Sequence, residues 1–200
     1  MNTNLIQLLR ESNTVPMVEI LALLANGADV NQPDDRGITP LILAANKFDD
    51  AELVQVLIDN GADVSVRDEW GRTALMTAIM GNRVDNVRCL IKNGANVNAC
   101  TLRADRTPAG QMPLIIACGM ADIDIEIVRV LLDAGAMINA TDEVGANAIK
   151  VAISVKRTDV MELLVEYGAR INEDVRNLLR FYSDVAKTDI GNKIMGTNLS

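Results

Sequence analysis

The chain has 200 residues, of which 49% are hydrophobic, and its 27 acidic and 19 basic residues give a formal net charge of −8. This length and apolar content are sufficient for a sizeable core, while the acidity argues against a sequence-independent nucleic-acid binder, which needs a basic stripe. The sequence contains no His, so the usual general base and the commonest metal ligand are missing, and no cofactor, metal or catalytic site is predicted.

The dipeptide Gly-Ala recurs along the chain and divides it into units of similar length. Its copies are Gly27-Ala28, Gly61-Ala62, Gly94-Ala95, Gly135-Ala136 and Gly168-Ala169. Successive glycines are 34, 33, 41 and 33 residues apart, and Val-Asn or Ile-Asn follows four of the five pairs. Such a period is the signature of a stacked repeat array. The predicted units are about 1–32, 33–65, 66–98, 99–139 and 140–172.

The first unit contains two short helices without the turn motif that opens the later units. Apolar residues at helical spacing predict these helices at Leu5–Leu9 and Val18–Leu24. We interpret this unit as the N-terminal cap of the array, because a terminal repeat has a neighbour on one side only.

The third unit shows the chemistry of one repeat most clearly. Gly71 supplies the positive φ of a tight turn, Thr73 is a helix N-cap, and a short apolar helix follows. Asn82 ends that helix in the left-handed region, and a second apolar helix ends at Gly94. The unit is therefore helix, turn, helix and extended loop, and stacking of its copies buries the apolar faces.

The second unit carries the most complete motif, Gly37-Ile38-Thr39-Pro40-Leu41, with Thr39 as N-cap and Pro40 at the first helical position. The fifth unit has Asn147 as a cap, and the fourth unit, at Gly110–Leu114, has lost it. The motif Gly-x-Thr-Pro-Leu, followed by Ala-Ala, an apolar helix and Gly-Ala-Asp-Val-Asn, resembles the ankyrin repeat over roughly residues 1 to 172. The resemblance implies an all-α ankyrin-repeat solenoid of stacked helix-turn-helix units with hairpin-like loops.

The chain departs from the family pattern at one position of each repeat. Ankyrin repeats usually carry a His after Pro-Leu that links neighbouring units, and this chain has other residues there: Ile42, Met76, Ile115 and Lys150. We therefore expect more reliance on apolar packing and weaker coupling between units. The repeat domain is predicted to span 1–186 with a C-terminal capping helix at 173–186, and the polar segment 187–200 is predicted to be a flexible tail.

The fourth repeat is longer than the others because it contains extra residues within 101–109 and near 119–122. Insertions in repeats map to loops, often on the binding face. Arg103 and Arg106 place two positive charges there, which favours a specificity finger. The alternative is a tolerated surface loop, because long insertions cost little.

Trp70 is the only tryptophan, and it directly precedes Gly71 at a turn that faces the partner in ankyrin-like proteins. Exposed Trp and Arg side chains are favoured at interface hot spots, although Trp70 packed flat across the neighbouring finger is an alternative. Aromatic, Met and Arg residues together are typical of an interface core. The predicted partner-binding residues are Arg36, Trp70, Arg72, Met80, Arg103, Arg106, Met120 and Val144.

Several acidic residues have structural explanations. Asp34, Asp68 and Asp142 each lie three positions before a turn glycine and are predicted to accept hydrogen bonds from the turn backbone. Asp122, Asp124 and Glu126 alternate with Ile, which favours the charged first turn of a helix over a cation site.

The sequence thus predicts a non-catalytic protein–protein interaction module that binds a protein partner on its concave face and fingers. A monomer is favoured over a homodimer, and the sequence leaves both open. Net acidity favours a partner with a basic face, and no apolar run approaches the roughly 20 residues that span a bilayer. Irregular spacing of Cys89, Cys100 and Cys118 predicts a reducing compartment. We expect a cytoplasmic protein, or one delivered into a host cell without a cleaved signal peptide.

Two other functions fit the same sequence. An inhibitor or antidote protein would block a partner enzyme through its acidic surface, as a mimic of a polyanionic substrate. A microbial effector would dock onto a host protein, since ankyrin arrays are common in such proteins. The salt dependence of the complex separates charge mimicry from other modes of binding.

Overall fold

A computed structural model describes residues 4–101 and 110–196 of the chain, and the regular elements of that part are helices. The chain divides into two compact units, Met1–Ala109 and Gly110–Ser200. From here on these are called the first and the second unit, and the shorter segments predicted from the sequence are called repeats. The division falls between Ala109 and Gly110, before the helix Pro113–Cys118, so each unit contains complete helix pairs.

Three helix pairs form the described part of the unit Met1–Ala109. They are α1 (Leu5–Glu11), α2 (Met17–Ala25), α3 (Pro40–Lys47), α4 (Ala51–Asp59), α5 (Ala74–Met80) and α6 (Val84–Lys92). The inner helices α1, α3 and α5 pack in a row, and the outer helices α4 and α6 pack behind them. Leu41, Leu53, Leu75 and Leu90 are almost completely buried between these rows. The core is therefore spread along the stack, as expected of repeats.

The described part of the unit Gly110–Ser200 contains two further helix pairs and, after them, three helices that we call the C-terminal group. They are α7 (Pro113–Cys118), α8 (Ile125–Asp133), α9 (Ala148–Ser154), α10 (Thr158–Glu166), α11 (Glu173–Phe181), α12 (Ser183–Ala186) and α13 (Asp189–Gly196). Helix α9 packs between α7 and α11, and α8 packs against α10. The predicted all-α array of helix-turn-helix repeats is confirmed in both units.

Local signals set the helix ends as the sequence predicts. Thr39, Thr73 and Asn147 accept hydrogen bonds from the N–H groups of Ile42, Met76 and Lys150, whereas Met112 makes no side-chain cap. Asn82 has φ 57°, which confirms its left-handed conformation, and Lys156 adopts the same conformation at the equivalent position of the fifth repeat with φ 63°. The lysine was not predicted there, because a long side chain is uncommon in this region.

Polar bonds between repeats replace part of the coupling that the missing His would supply. In the first unit the buried Asn86 side chain donates from Nδ2 to the carbonyl oxygens of Ala45 and Phe48 at 3.0 and 2.7 Å. In the second unit Arg157 donates to the carbonyls of Ala121 and Ile123 at 2.8 and 3.0 Å. The expectation of more reliance on apolar packing did not include these contacts. Each unit has side-chain hydrogen bonds between its repeats.

A second tie explains the Asn of the recurring Val-Asn and Ile-Asn pairs. Asn31 donates from Nδ2 to the Gly61 carbonyl at 2.8 Å and accepts the Asp63 N–H at 2.9 Å. Asn139 accepts the Arg170 N–H at 2.8 Å in the same way. The carboxamide of one repeat therefore holds the Gly-Ala loop of the next.

The C-terminal segment differs from the prediction in two respects. The expected capping helix at 173–186 is broken at Tyr182 into α11 and α12, and Phe181 is 80% exposed beside the Tyr182 ring. The expectation of a flexible tail is wrong for 189–196, because these residues form α13, whose Ile190 and Ile194 are buried. Residues 197–200 lie outside the described part. No helix in the described ranges is long and apolar enough to cross a membrane.

Candidate partner-binding surface

In the described residues, three turns with one hydrogen-bond pattern form tips of fingers. We call the segments Asp34–Gly37, Asp68–Gly71 and Asp142–Gly145 the turn tips. In each, Oδ1 of the first Asp accepts the backbone N–H groups of the residues two and four positions later at 2.8 to 3.0 Å. The prediction that these carboxylates bind the turn backbone is confirmed. The residue before the glycine, Arg36, Trp70 or Val144, is thereby held at the apex.

The first of these tips has an additional cation. Arg10 of α1 pairs with the second carboxylate oxygen of Asp34. Burial raises the pKa of Asp34, but hydrogen bonds from the Ile38 and Arg36 N–H groups and from Arg10 outweigh it, so this pKa lies below its ordinary value of 3.8. The carboxylate therefore stays ionised at neutral pH and keeps the turn closed.

The tip of the third repeat has both an ion pair and a cation–π contact next to the turn. Asp68 Oδ1 accepts the Trp70 and Arg72 N–H groups, and its Oδ2 accepts Arg72 Nε at 2.7 Å. The Arg72 guanidinium lies 4.3 Å from the centre of the Trp70 ring, within cation–π range. The Asp68 side chain is fully buried while that of Arg72 is 26% exposed. The Asp68 carboxylate thus holds the backbone of Trp70, and the Arg72 guanidinium, which the same carboxylate binds, stacks on the indole.

Neighbouring tips in the first unit touch through their backbones. The Glu69 N–H donates to the Arg36 carbonyl at 2.9 Å. Gly37, with φ 72°, lies so close that an added Cβ would be 3.3 Å from Asp68 Cα, so glycine is required there for conformation and for space. The two apex residues, Arg36 and Trp70, therefore have a fixed relative position.

The predicted partner-binding residues of the first unit are accessible. Trp70 is 41% exposed and Met80, at the end of α5, is 44% exposed; Arg36 is exposed and Arg72 is half-buried. The indole stacks on Arg72 of its own finger and still presents much of its surface to solvent. The structure brings Arg36, Trp70 and Arg72 together on adjacent tips.

The remaining predicted residues belong to the second unit or to the inserted loop. Val144 is 80% exposed at the tip of the fifth repeat, and Met120 is half-buried just after α7. Arg103 and Arg106 lie outside the described residues, as does most of the proposed specificity finger. Their assignment to a binding surface stays a prediction.

Acidic side chains line the outer helices. Each of α4, α6, α8 and α10 has an acid in its first turn: Glu52, Asp85, Glu126 and Asp159. This placement is favourable for the helix dipole. Asp124 caps α8 by accepting the Glu126 N–H at 2.9 Å, which supports the first-turn interpretation of this segment. In the described ranges no group of three His, Cys, Asp or Glu residues could hold a metal ion.

The surface beside the first turn tip contains a charged cleft. A cleft of about 410 Å³ next to Arg36 is lined by Arg10, Asp34 and Asp35. Its walls are charged, and Arg10 and Asp34 form an ion pair there, whereas small-molecule sites are mostly apolar. The surface is therefore better suited to a protein than to a small ligand.

Sequence reasoning missed the supporting role of Asp68 toward Arg72. The signal was present, because Asp68 and Arg72 are four residues apart and of opposite charge. Side chains four residues apart usually meet on one face of a helix. Here the turn brings the two side chains together instead. Trp70 was identified, but its stacking on Arg72 was not.

Known proteins share this architecture. The family model described as ankyrin repeats (3 copies) matches residues 5–101 and 99–174. An ankyrin repeat protein of Acanthamoeba polyphaga mimivirus is 32% identical over 106 residues, which is 52% of this chain and 33% of the relative. Ankyrin repeat domain-containing protein 63 of Homo sapiens is 35% identical over 65 residues, which is 32% of this chain and 17% of the relative. The chain thus spans a third or less of these relatives.

The family match covers most of the chain and agrees with the stacked helix pairs, the glycine turns and the finger geometry. The fold is accordingly an all-α ankyrin solenoid. We conclude that the chain belongs to the ankyrin repeat family.

Proposed function

We propose that this chain is a non-catalytic interaction module and that a protein partner binds the turn tips and inner-helix ends, with Trp70 as the central anchor. Ankyrin repeats are generally protein–protein interaction modules and bind protein partners. The observation that carries the proposal is that Trp70 is 41% exposed while its ring stacks on Arg72, which is itself bound to Asp68.

A preoriented indole favours binding for an entropic reason. Ordering a rotamer-rich side chain on association costs about 0.5–1.5 kcal/mol. Trp70 is already oriented by the stacked Arg72 and by an Asp-bound turn, so less of that cost falls on the complex. The free part of the ring supplies apolar area for the partner, and Trp is favoured at hot spots.

The residues around Trp70 extend the surface. Arg36 lies on the adjacent tip, and Met80 adds an adaptable apolar side chain. In the second unit Val144 and Met120 are further candidates, and Arg103 and Arg106 would contribute from the inserted loop. We place the module as a monomer in a reducing, cytoplasmic environment, which is consistent with three free cysteines.

The first test is affinity capture from the source cell with wild type, Trp70→Ala and Phe181→Ala. Phe181 is a matched control, because it is an exposed aromatic residue at the end of α11 and does not belong to a turn tip. A true partner is retained by Phe181→Ala and weakened about 30-fold, or about 2 kcal/mol, by Trp70→Ala. Circular dichroism and urea unfolding verify that both variants fold.

A partner retained equally by wild type and Trp70→Ala would refute the anchor assignment. It would move the binding surface to the outer helices or to the C-terminal group. Loss of the partner with both variants would show that the effect is not specific to Trp70, or that both substitutions cause a general loss of structure, which the unfolding curves reveal.

The exposed acids on the outer helices favour a second candidate, an inhibitor that binds a basic groove of a partner enzyme. Glu52 and Asp85 are exposed on adjacent outer helices of the first unit. In this case Glu52→Gln with Asp85→Asn would reduce binding, and added salt would weaken the complex steeply. Trp70→Ala would leave such a complex unchanged, which separates it from the leading proposal.

A further inference from the structure

Three outer helices of the first unit end in the same chemically labile dipeptide. The pairs are Asn26-Gly27 after α2, Asn60-Gly61 after α4 and Asn93-Gly94 after α6. The equivalent positions of the second unit, Ala134-Gly135 and Tyr167-Gly168, lack the amide. Glycine offers no Cβ to hinder close approach to its nitrogen, so these three Asn residues are candidates for spontaneous deamidation.

The reaction is balanced without any cofactor. The Gly27 backbone nitrogen attacks Cγ of Asn26, the new N–C bond closes an imide ring, and the Cγ–Nδ2 bond breaks. The Gly27 amide proton leaves with Nδ2 as ammonia. Water then opens the imide at either carbonyl and gives aspartate or isoaspartate.

The folded helix ends oppose this attack at all three sites. The Gly27, Gly61 and Gly94 N–H groups donate to helix carbonyls at 2.9 to 3.0 Å. The carboxamides of Asn26 and Asn60 donate back to Ala22 and Val56 at 2.8 Å. Both reacting groups are held in hydrogen bonds, so the helix end must open before the ring can close.

The three ends are not equally held. Helix α6 buries Asn86, Val87 and Leu90, and its Asn93 donates to both Cys89 and the Gln55 side chain at 2.8 and 2.9 Å. The carboxamide of Asn93 is therefore tied to the neighbouring repeat as well as to its own helix.

Helix α2 is the least secured of the three. Its only buried residue is Ile20, whereas α4 and α6 each bury three residues. Val18 and Leu21 are 78% and 47% exposed, so little apolar burial resists opening. Local opening free energies follow such differences in burial.

We infer that Asn26 is a site of spontaneous deamidation in the folded protein, and that the fold protects Asn60 and still more Asn93. The new carboxylate lies at the C-terminus of α2, where negative charge opposes the helix dipole. An isoaspartate also lengthens the backbone beside Gly27, whose φ is 81°. The product therefore loosens α2 and the loop that leads to Asn31, the residue that ties the first repeat to the second.

The test is incubation of the full chain at mildly alkaline pH, in buffer and in concentrated urea, followed by peptide mass spectrometry at each of the three sites. In urea all three react at similar rates, because no helix end is left. In buffer Asn26 reacts about tenfold faster than Asn93, with Asn60 between them. Equal rates at Asn26 and Asn93 in buffer, or a faster reaction at Asn93, would overturn the inference.

Two variants test the consequence separately. Asn26→Asp reproduces the charge of the product and should speed amide hydrogen exchange across Met17–Ala25. Asn26→Gln keeps an amide but forms an imide far less readily, so it should remain unmodified at this position with exchange near that of wild type. Unchanged exchange in Asn26→Asp would refute the loosening of the first repeat. None of these results depends on the proposed binding function.

Discussion

Replacing Asp68 by Ala tests whether the buried carboxylate supports both the finger and its indole. The substitution removes the acceptor for the Trp70 N–H at 3.0 Å, the Arg72 N–H at 2.8 Å and Arg72 Nε at 2.7 Å. The side chain of Asp68 is fully buried, so its bonds lie in the protein interior. We expect the third repeat to lose stability and Trp70 to lose its orientation together.

The expected cost follows from the individual bonds. A backbone hydrogen bond contributes about 1 kcal/mol net, and more when its acceptor is charged. Two such bonds, with the partly exposed Arg72 pair contributing about 1 kcal/mol at most, give about 3 kcal/mol in total for Asp68→Ala. Asp142→Ala removes the same two backbone bonds and should cost about 2 kcal/mol. Asp68→Asn retains an acceptor oxygen and should cost about 1 kcal/mol.

The assay is urea unfolding followed by circular dichroism and by tryptophan fluorescence. Since Trp70 is the only tryptophan, its emission reports the third finger directly. Asp68→Ala and Arg72→Ala should both shift this emission in the native state, because each removes a contact that orients the ring. Asp142→Ala should lower the unfolding free energy without changing native emission.

The reasoning would be refuted if Asp68→Ala unfolded at the wild-type urea concentration. It would also be refuted if native emission were unchanged in Asp68→Ala and Arg72→Ala, since the stacking at 4.3 Å would then have no effect on the indole. A double-mutant cycle between the two positions should give a coupling energy of about 0.5–1 kcal/mol.

Three further predictions concern repeat coupling, acid stability and thiol reactivity. Asn86→Ala should cost about 2–3 kcal/mol in urea unfolding, because it leaves the carbonyls of Ala45 and Phe48 without their donor; a cost below that of an exposed control such as Asn13→Ala would contradict it. The lowered pKa of Asp34 means that its contribution is present above its ordinary value of 3.8 and is lost as pH falls through the lower folded value. Wild type should therefore lose stability on acidification more steeply than Asp34→Asn, and parallel curves would contradict this. Burial raises the pKa of Cys118 to about 12, although Arg157 lowers it slightly, so a thiol reagent should label Cys118 only after unfolding, and rapid labelling of the native protein would refute its burial.

The sequence predicted those parts of the fold that depend on neighbouring residues. The Gly-Ala period, the caps at Thr39 and Thr73 and the left-handed Asn82 are local features, since each bond lies within four residues. The turn acids belong to the same class. The contacts of Asn86 and Arg157 could not be predicted in this way, because their partners are more than 30 residues away and are set by stacking.

The C-terminal error has a physical cause in Gly191. A glycine in a polar segment suggested a loose tail, but in α13 it permits close packing. An added Cβ would lie 2.8 Å from Ala186 Cα and closer still to the Val185 carbonyl. The stronger signal was the spacing of Ile190 and Ile194, which places both on one helix face. The turn motif was enough to predict Trp70 as a binding residue. It did not reveal the hydrogen bonds of Asp68 that hold the turn.

The turn tips separate the residue that maintains the structure from the residue at the apex. Asp34, Asp68 and Asp142 each bond to the apex residue through its backbone N–H, so the apex side chain takes no part in the bond that closes the turn. An apex can therefore change from Arg to Trp to Val, as it does between these repeats, without a folding penalty from that bond. Single codon changes at these positions give the chain a route to new partners in evolution, while the acidic residue below them stays under selection for folding.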